Sequence, residues 1–152
     1  MFRMRFPLQL ALTGFCLWAN AAVAQALPAA AGYVASVAGE AFLTNQANTS
    51  EAVLGQAIIE GMTLHTGERA GLAVIFDDGT VMSFGSNSEF ELDHYRFAPA
   101  SEAFRLAARF NRGTLSLVTG AISRLDPEAL SLETPQGRVQ VHAGHALLKV
   151  AE

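Results

Sequence analysis

The residues able to do chemistry are few and thinly spread. The four histidines are His65, His94, His142 and His145, and Cys16 is the single cysteine. His142 and His145 stand three apart, a spacing that puts two side chains on one face of a helix but on opposite faces of a strand. As strand residues they chelate only if Gly144 bulges the chain between them, with His65 or His94 brought up by the fold. No His-Glu-x-x-His run, Gly-x-Ser-x-Gly elbow, glycine-rich phosphate loop or zinc spacing occurs. The reading is therefore non-enzymatic, without cofactor or resident metal. The densest titratable group is acidic: Asp77, Asp78, Glu89, Glu91 and Asp93. Calcium takes six to eight oxygens from a folded loop, and a ladder of strand carboxylates offers too few. This spacing suits a solvated strand face that keeps the chain soluble and is able to meet a basic partner. Glu89, Glu91, Asp93, His142 and His145 are the candidate partner-binding residues.

The elements that must position these groups are strands. Residues 72–76 and 80–84 are runs of strand formers around Asp78-Gly79, the strongest short-range signal for a hairpin. A two-residue loop predicts Phe76 opposite Val81, Ile75 opposite Met82 and Val74 opposite Ser83, with Gly79 at positive φ. Asp78, Gly79 and Thr80 are then the turn that defines the fold. Both faces of such a hairpin are apolar, which predicts cover on both sides. Residues 89–95 alternate Phe90 and Leu92 with Glu89, Glu91 and Asp93, one face buried and one wet. Residues 32–44 read as two strand pieces broken at Gly39, and 45–50 as an exposed polar loop. Residues 103–110 alternate with period two and read as a strand in spite of their alanines, and 113–119 as another. A loop with one helical turn is expected at 126–128, and strands again at 130–134 and 138–150. Glycines recur about every six to eight residues from Gly55 to Gly85. Strands this short with turns this frequent predict an all-β domain: a β-sandwich, a jelly roll or a compact β-solenoid-like unit.

The first residues are of another kind. Arg3 and Arg5 precede an apolar run at 8–18, followed by the small-x-small site Ala22-Val23-Ala24, which reads as a signal peptide cleaved after Ala24 or Ala26. Residues 1–24 are assigned to it, 25–31 to an Ala-Pro linker and 32–150 to the β-domain, with a periplasmic or secreted location. Cleavage after Ala24 leaves 128 residues without cysteine, so stability must come from apolar burial alone. Loss of Arg3 and Arg5 takes the formal charge from −4 to −6, which argues against nucleic acid as a partner. No second apolar run of spanning length follows, so no stable membrane span is expected after cleavage.

Four motifs in order carry a family resemblance: GYVASVAGEA from Gly32; GMTLHTGERAGLAVIFDDGTVMSFGSNSEFELDHY from Gly61; RGTLSLVTGAISRLDPEALSLETP from Arg112; and VQVHAG from Val139. They resemble the FecR domain, a periplasmic β-domain of iron-citrate type signalling regulators and of stand-alone exported proteins. The last motif departs from the family, with His142-Ala143-Gly144 where Arg-Gly-Thr is usual. Membrane-spanning members add a cytoplasmic segment that contacts a sigma factor and one membrane helix, and this chain is expected to carry the periplasmic part alone. The resemblance implies a binding module that docks an envelope protein or small ligand within a signalling or regulatory system. The alternative is a structural or secreted surface domain whose acidic face takes cations.

Overall fold

The computed structural model describes residues 26–46 and 48–151; the expected signal peptide lies outside them. The strands are β1 (Gly32–Ala38), β2 (Ala41–Asn45), β3 (Asn48–Glu51), β4 (Ala57–Ile58), β5 (Met62–Thr66), β6 (Gly71–Phe76), β7 (Val81–Phe84), β8 (Glu89–Ala98), β9 (Ala103–Val118), β10 (Leu130–Thr134), β11 (Gly137–Val139) and β12 (His145–Val150). One short helix, α1 (Ala121–Leu125), and a 3-10 turn at Pro99–Ser101 complete the described residues. The fold is all-β. None of the described helices is long and apolar enough to cross a membrane.

The strand order is β3-β2-β5-β8-β9-β7-β6-β1-β4 in one curled sheet. Its curl has a cause in β9. The first half of β9 lies between β8 and β10, the second half between β7 and β12. The alternation predicts two strands here, 103–110 and a second beginning at Gly113. Instead Gly113, at φ +98°, turns the chain from one half of the sheet into the other without ending the strand. The halves close on a core in which Phe84 of β7 meets Phe90 of β8 and Phe110 of β9, with ring centroids 5.0 and 6.4 Å apart. Each fully buried phenylalanine contributes on the order of 1.5–3 kcal/mol. That is the apolar burial on which a chain without disulfides depends.

The central hairpin forms, but in another register. Leu72 pairs with Phe84, Val74 with Met82 and Ile75 with Val81. The loop is three residues long, Asp77-Asp78-Gly79: the Phe76 amide donates to the Thr80 carbonyl at 2.9 Å, and the Gly79 amide to the Phe76 carbonyl at 2.9 Å. Gly79 does take positive φ, +85°, as the third residue of a turn that ends in a glycine bulge. The extra loop residue moves one strand by one place. Leu72, Val74, Phe76, Met82 and Phe84 all fall on the buried face, while Ala73, Ile75, Val81 and Ser83 share the other. Only one face is fully covered, not both.

Three further expectations are corrected. Residues 48–51 are the exposed edge strand β3, with the Thr44 and Thr49 hydroxyls 3.0 Å apart, because an edge strand pairs on one side and can stay polar. A bulge between Leu92 and His94 breaks the alternation of β8, so that Tyr95, opposite Leu106, turns inward to stack on Phe76 at 5.3 Å. The helical turn sits at 121–125 rather than 126–128.

Candidate functional site

Three places gather the residues singled out above. The first is the hairpin turn. Asp78 is buried, and its carboxylate accepts from the Thr80 amide (3.2 Å), the Thr80 hydroxyl (2.7 Å), the Tyr95 hydroxyl (3.2 Å) and the Ile122 amide (3.1 Å). Its backbone takes part as well: the Asp78 amide donates to the Tyr95 oxygen at 2.9 Å, and the Ala121 amide to the Asp78 carbonyl at 2.8 Å. The Gly120 amide donates to the Thr80 hydroxyl oxygen at 3.0 Å. Burial, joined by the charge of Asp78, pushes the Tyr95 phenol well above the ordinary tyrosine value. An acid, a hydroxyl and a phenol in contact look like the parts of a catalytic site. Here each carboxylate oxygen accepts from two donors of the fold, so the cluster bolts β6, β8 and the start of α1 together.

The second place is the acidic strand. Glu89, Glu91 and Asp93 do line one face of β8, but that face is matched from β9. Arg109 binds Glu91 at 2.6 Å and Asp93 through Nε (3.1 Å) and a terminal nitrogen (2.6 Å). The pairing with Asp93, then its charge and that of Glu91, hold the Arg109 guanidinium above its ordinary value. Glu89 accepts from Asn111 at 2.9 Å and has Arg112 at 3.6 Å and His65 at 3.7 Å. Register continues the row: Glu133 of β10 lies opposite Arg109 and binds Arg138 of β11 at 2.7 Å. A cleft of about 470 Å³ follows this row, with Arg105, Arg109 and Arg138 on its walls against Asp93, Glu128 and Glu133. Its three arginines face three carboxylates, so the wall charges balance. No group of three or more His, Cys, Asp or Glu placed to hold a metal ion occurs among the described residues. The arginines were readable in advance, since Arg105 and Arg109 alternate along β9 as the acids do along β8.

His142 and His145 do not join the acids. His145 begins β12 opposite Val118, nine places along β9 from Arg109 and beyond the turn at Gly113, in the other half of the sheet. Its Nε2 lies 2.8 Å from the Ser116 hydroxyl. His142 is exposed in the loop before it, and Gly144 lies in the turn before β12 rather than in a bulge between two ligands.

The third place is the outer face of the half-sheet β4-β1-β6-β7-β9-β12, which no sequence motif marked. Register aligns Tyr33, Ile75, Val81, Val118 and His145 in one row across five strands, and Ala73, Ser83, Ser116 and Leu147 in the next. Tyr33 is 49% exposed, Val118 45% and Leu147 77%. A shallow trough of about 500 Å³ beside β12 is lined by Ser83, Gly85, Thr114, Ser116, Leu147 and Lys149. The signal for this face was the second apolar side of the hairpin, where Ile75 and Val81 stay half-buried between the exposed Tyr33 and Val118. In comparison with known proteins, no family model, no curated protein and no solved structure matches this chain.

Proposed function

We propose that the chain is a non-catalytic, exported binding module of FecR-like type that docks an envelope protein. One observation carries this reading: the row Tyr33, Ile75, Val81 and Val118 on the outer face of the sheet, with Tyr33 and Val118 exposed and Ile75 and Val81 half-buried between them. Contiguous apolar surface on a soluble scaffold marks interaction sites, and a rigid sheet presents it without an ordering cost. The acidic strand serves this module as structure, its carboxylates taken up by Arg109, Arg112 and Asn111, and the docking surface is the apolar face instead. A place in an iron-type or other signalling system is what the resemblance in the four motifs adds.

The test is capture from an envelope extract of the source cell with three baits. The parent is compared with Tyr33→Ser/Val118→Ser and with Glu89→Ser/Glu91→Ser/Asp93→Ser, each first shown to fold. The double variant is expected to lose the captured protein while the triple variant keeps it. Loss in the triple variant alone would return the site to the acids, and equal capture by all three would remove the docking assignment.

A further inference from the structure

A sheet edge is a template for another strand, and folded proteins blunt their edges. Of the edges in the described residues, β3 is wholly polar and ends in Glu51, β4 has two residues, and β11 has three with Arg138 at its centre. The fourth edge is β12, six residues reading HALLKV, paired with β9 on one side only. It is the longest edge and the most apolar, and its Leu147 is the most exposed large apolar side chain of any described strand.

The direction of its free backbone groups follows from alternation along an antiparallel ladder. The Gly144 carbonyl accepts from the Thr119 amide at 3.0 Å, so Gly144 faces β9, as do Ala146, Leu148 and Val150. His145, Leu147 and Lys149 therefore aim their N–H and C=O groups off the edge. We infer that this edge is closed by a second copy of the chain, β12 pairing antiparallel with β12 about a two-fold axis at Leu147. The inference deepens the docking reading, because it extends the sheet that carries the docking face.

Three features select this occupant and this register. Centring at Leu147 sets Leu147 against Leu147 and His145 against Lys149, so every outward N–H meets an outward C=O; a register shifted by two residues leaves one end unpaired. The same centring separates the two Lys149 ammonium groups, which would repel if opposed. Each Lys149 meets the His145 side chain of the other copy instead. On the outer face the two Leu147 side chains become neighbours, and the rows from Tyr33 to Val118 of both copies lie on one continuous sheet. The interface is isologous and closes at two copies, so it leaves no edge of this kind for further growth.

Sedimentation velocity from ~1 to ~100 µM, the range in which weak pairs dissociate, should show a monomer–dimer equilibrium. Leu147→Lys should raise the dimer dissociation constant about tenfold or more through like charges at the axis. In a Cys16→Ser background, Leu147→Cys should form a disulfide-linked dimer under mild oxidation, because paired strands hold opposite Cα atoms at about 5.5 Å, within disulfide reach. Ser83→Cys, on the same face but off the edge, should not. The cysteine pair keeps the test valid if Leu147→Lys fails to fold. A monomer at every concentration, a dimer indifferent to Leu147→Lys, or equal cross-linking at 83 and 147 would overturn the pairing. A monomer whose capture still depends on Tyr33 and Val118 rejects self-pairing alone, while a dimer that captures nothing rejects docking alone.

Discussion

At the scale of single residues the weight of the fold sits on Asp78. Asparagine there would turn one acceptor oxygen into a donor facing the amide or hydroxyl of Thr80, so Asp78→Asn should cost about 2–3 kcal/mol. Gly79→Ala, which only forces a Cβ into positive φ, should cost about 1–2 kcal/mol. Unfolding midpoints in denaturant decide the order, and a larger loss from Gly79→Ala would mean that the carboxylate is dispensable. Tyr95 makes a second prediction through pH. Its phenol titrates higher in the fold than the ordinary 10.0, so the unfolded chain releases that proton first. The contribution is fully present below about pH 10 and is lost as pH rises beyond it. Tyr95→Phe should be less stable by about 1–2 kcal/mol at pH 7, for want of a partner for the Asp78 amide. Its stability should then fall less between pH 9 and 12 than that of the parent, and parallel curves would remove Tyr95 from the alkaline response.

Elements show where the sequence was legible and where it was not. Period two in residues 103–110 and the Asp-Gly pair identified β9 and the hairpin, because alternation and turn chemistry are local. Whether the loop held two residues or three was not local. Thr80 is drawn into the loop's closure by Asp78 and by Gly120, a contact forty residues away, and that one place moved Phe76 and Met82 onto the same face. The bulge in β8 was hidden for a similar reason: it answers Arg109 and the inward call for Tyr95 on Phe76, neither of which a strand announces alone. Gly113 carries the element-scale prediction. A Cβ there meets the Ser88 side chain, whose hydroxyl donates to the Gly85 and Thr114 carbonyls, and φ is +98° besides. Gly113→Ala should cost about 3 kcal/mol or more, read as a fall in thermal midpoint, whereas Arg109→Ala, which removes exposed pairs, should cost less than about 1 kcal/mol. A mild Gly113→Ala would mean that β9 can bend elsewhere.

For the molecule as a whole, the use of β9 by both halves of the sheet sets a clock. β6 and β7 can pair as soon as residue 84 is made and β8 can pair with β5 soon after, yet the two halves of the sheet join only through β9, whose pairs with β7 need residues 115–118. At roughly 5–20 residues per second of synthesis, the buried face of the hairpin stays uncovered for about 2–7 s. Pairings so distant along the chain also close slowly, in milliseconds to seconds, once all the strands exist. Any factor that must meet this chain unfolded has that interval, and the emergence of Val118 ends it.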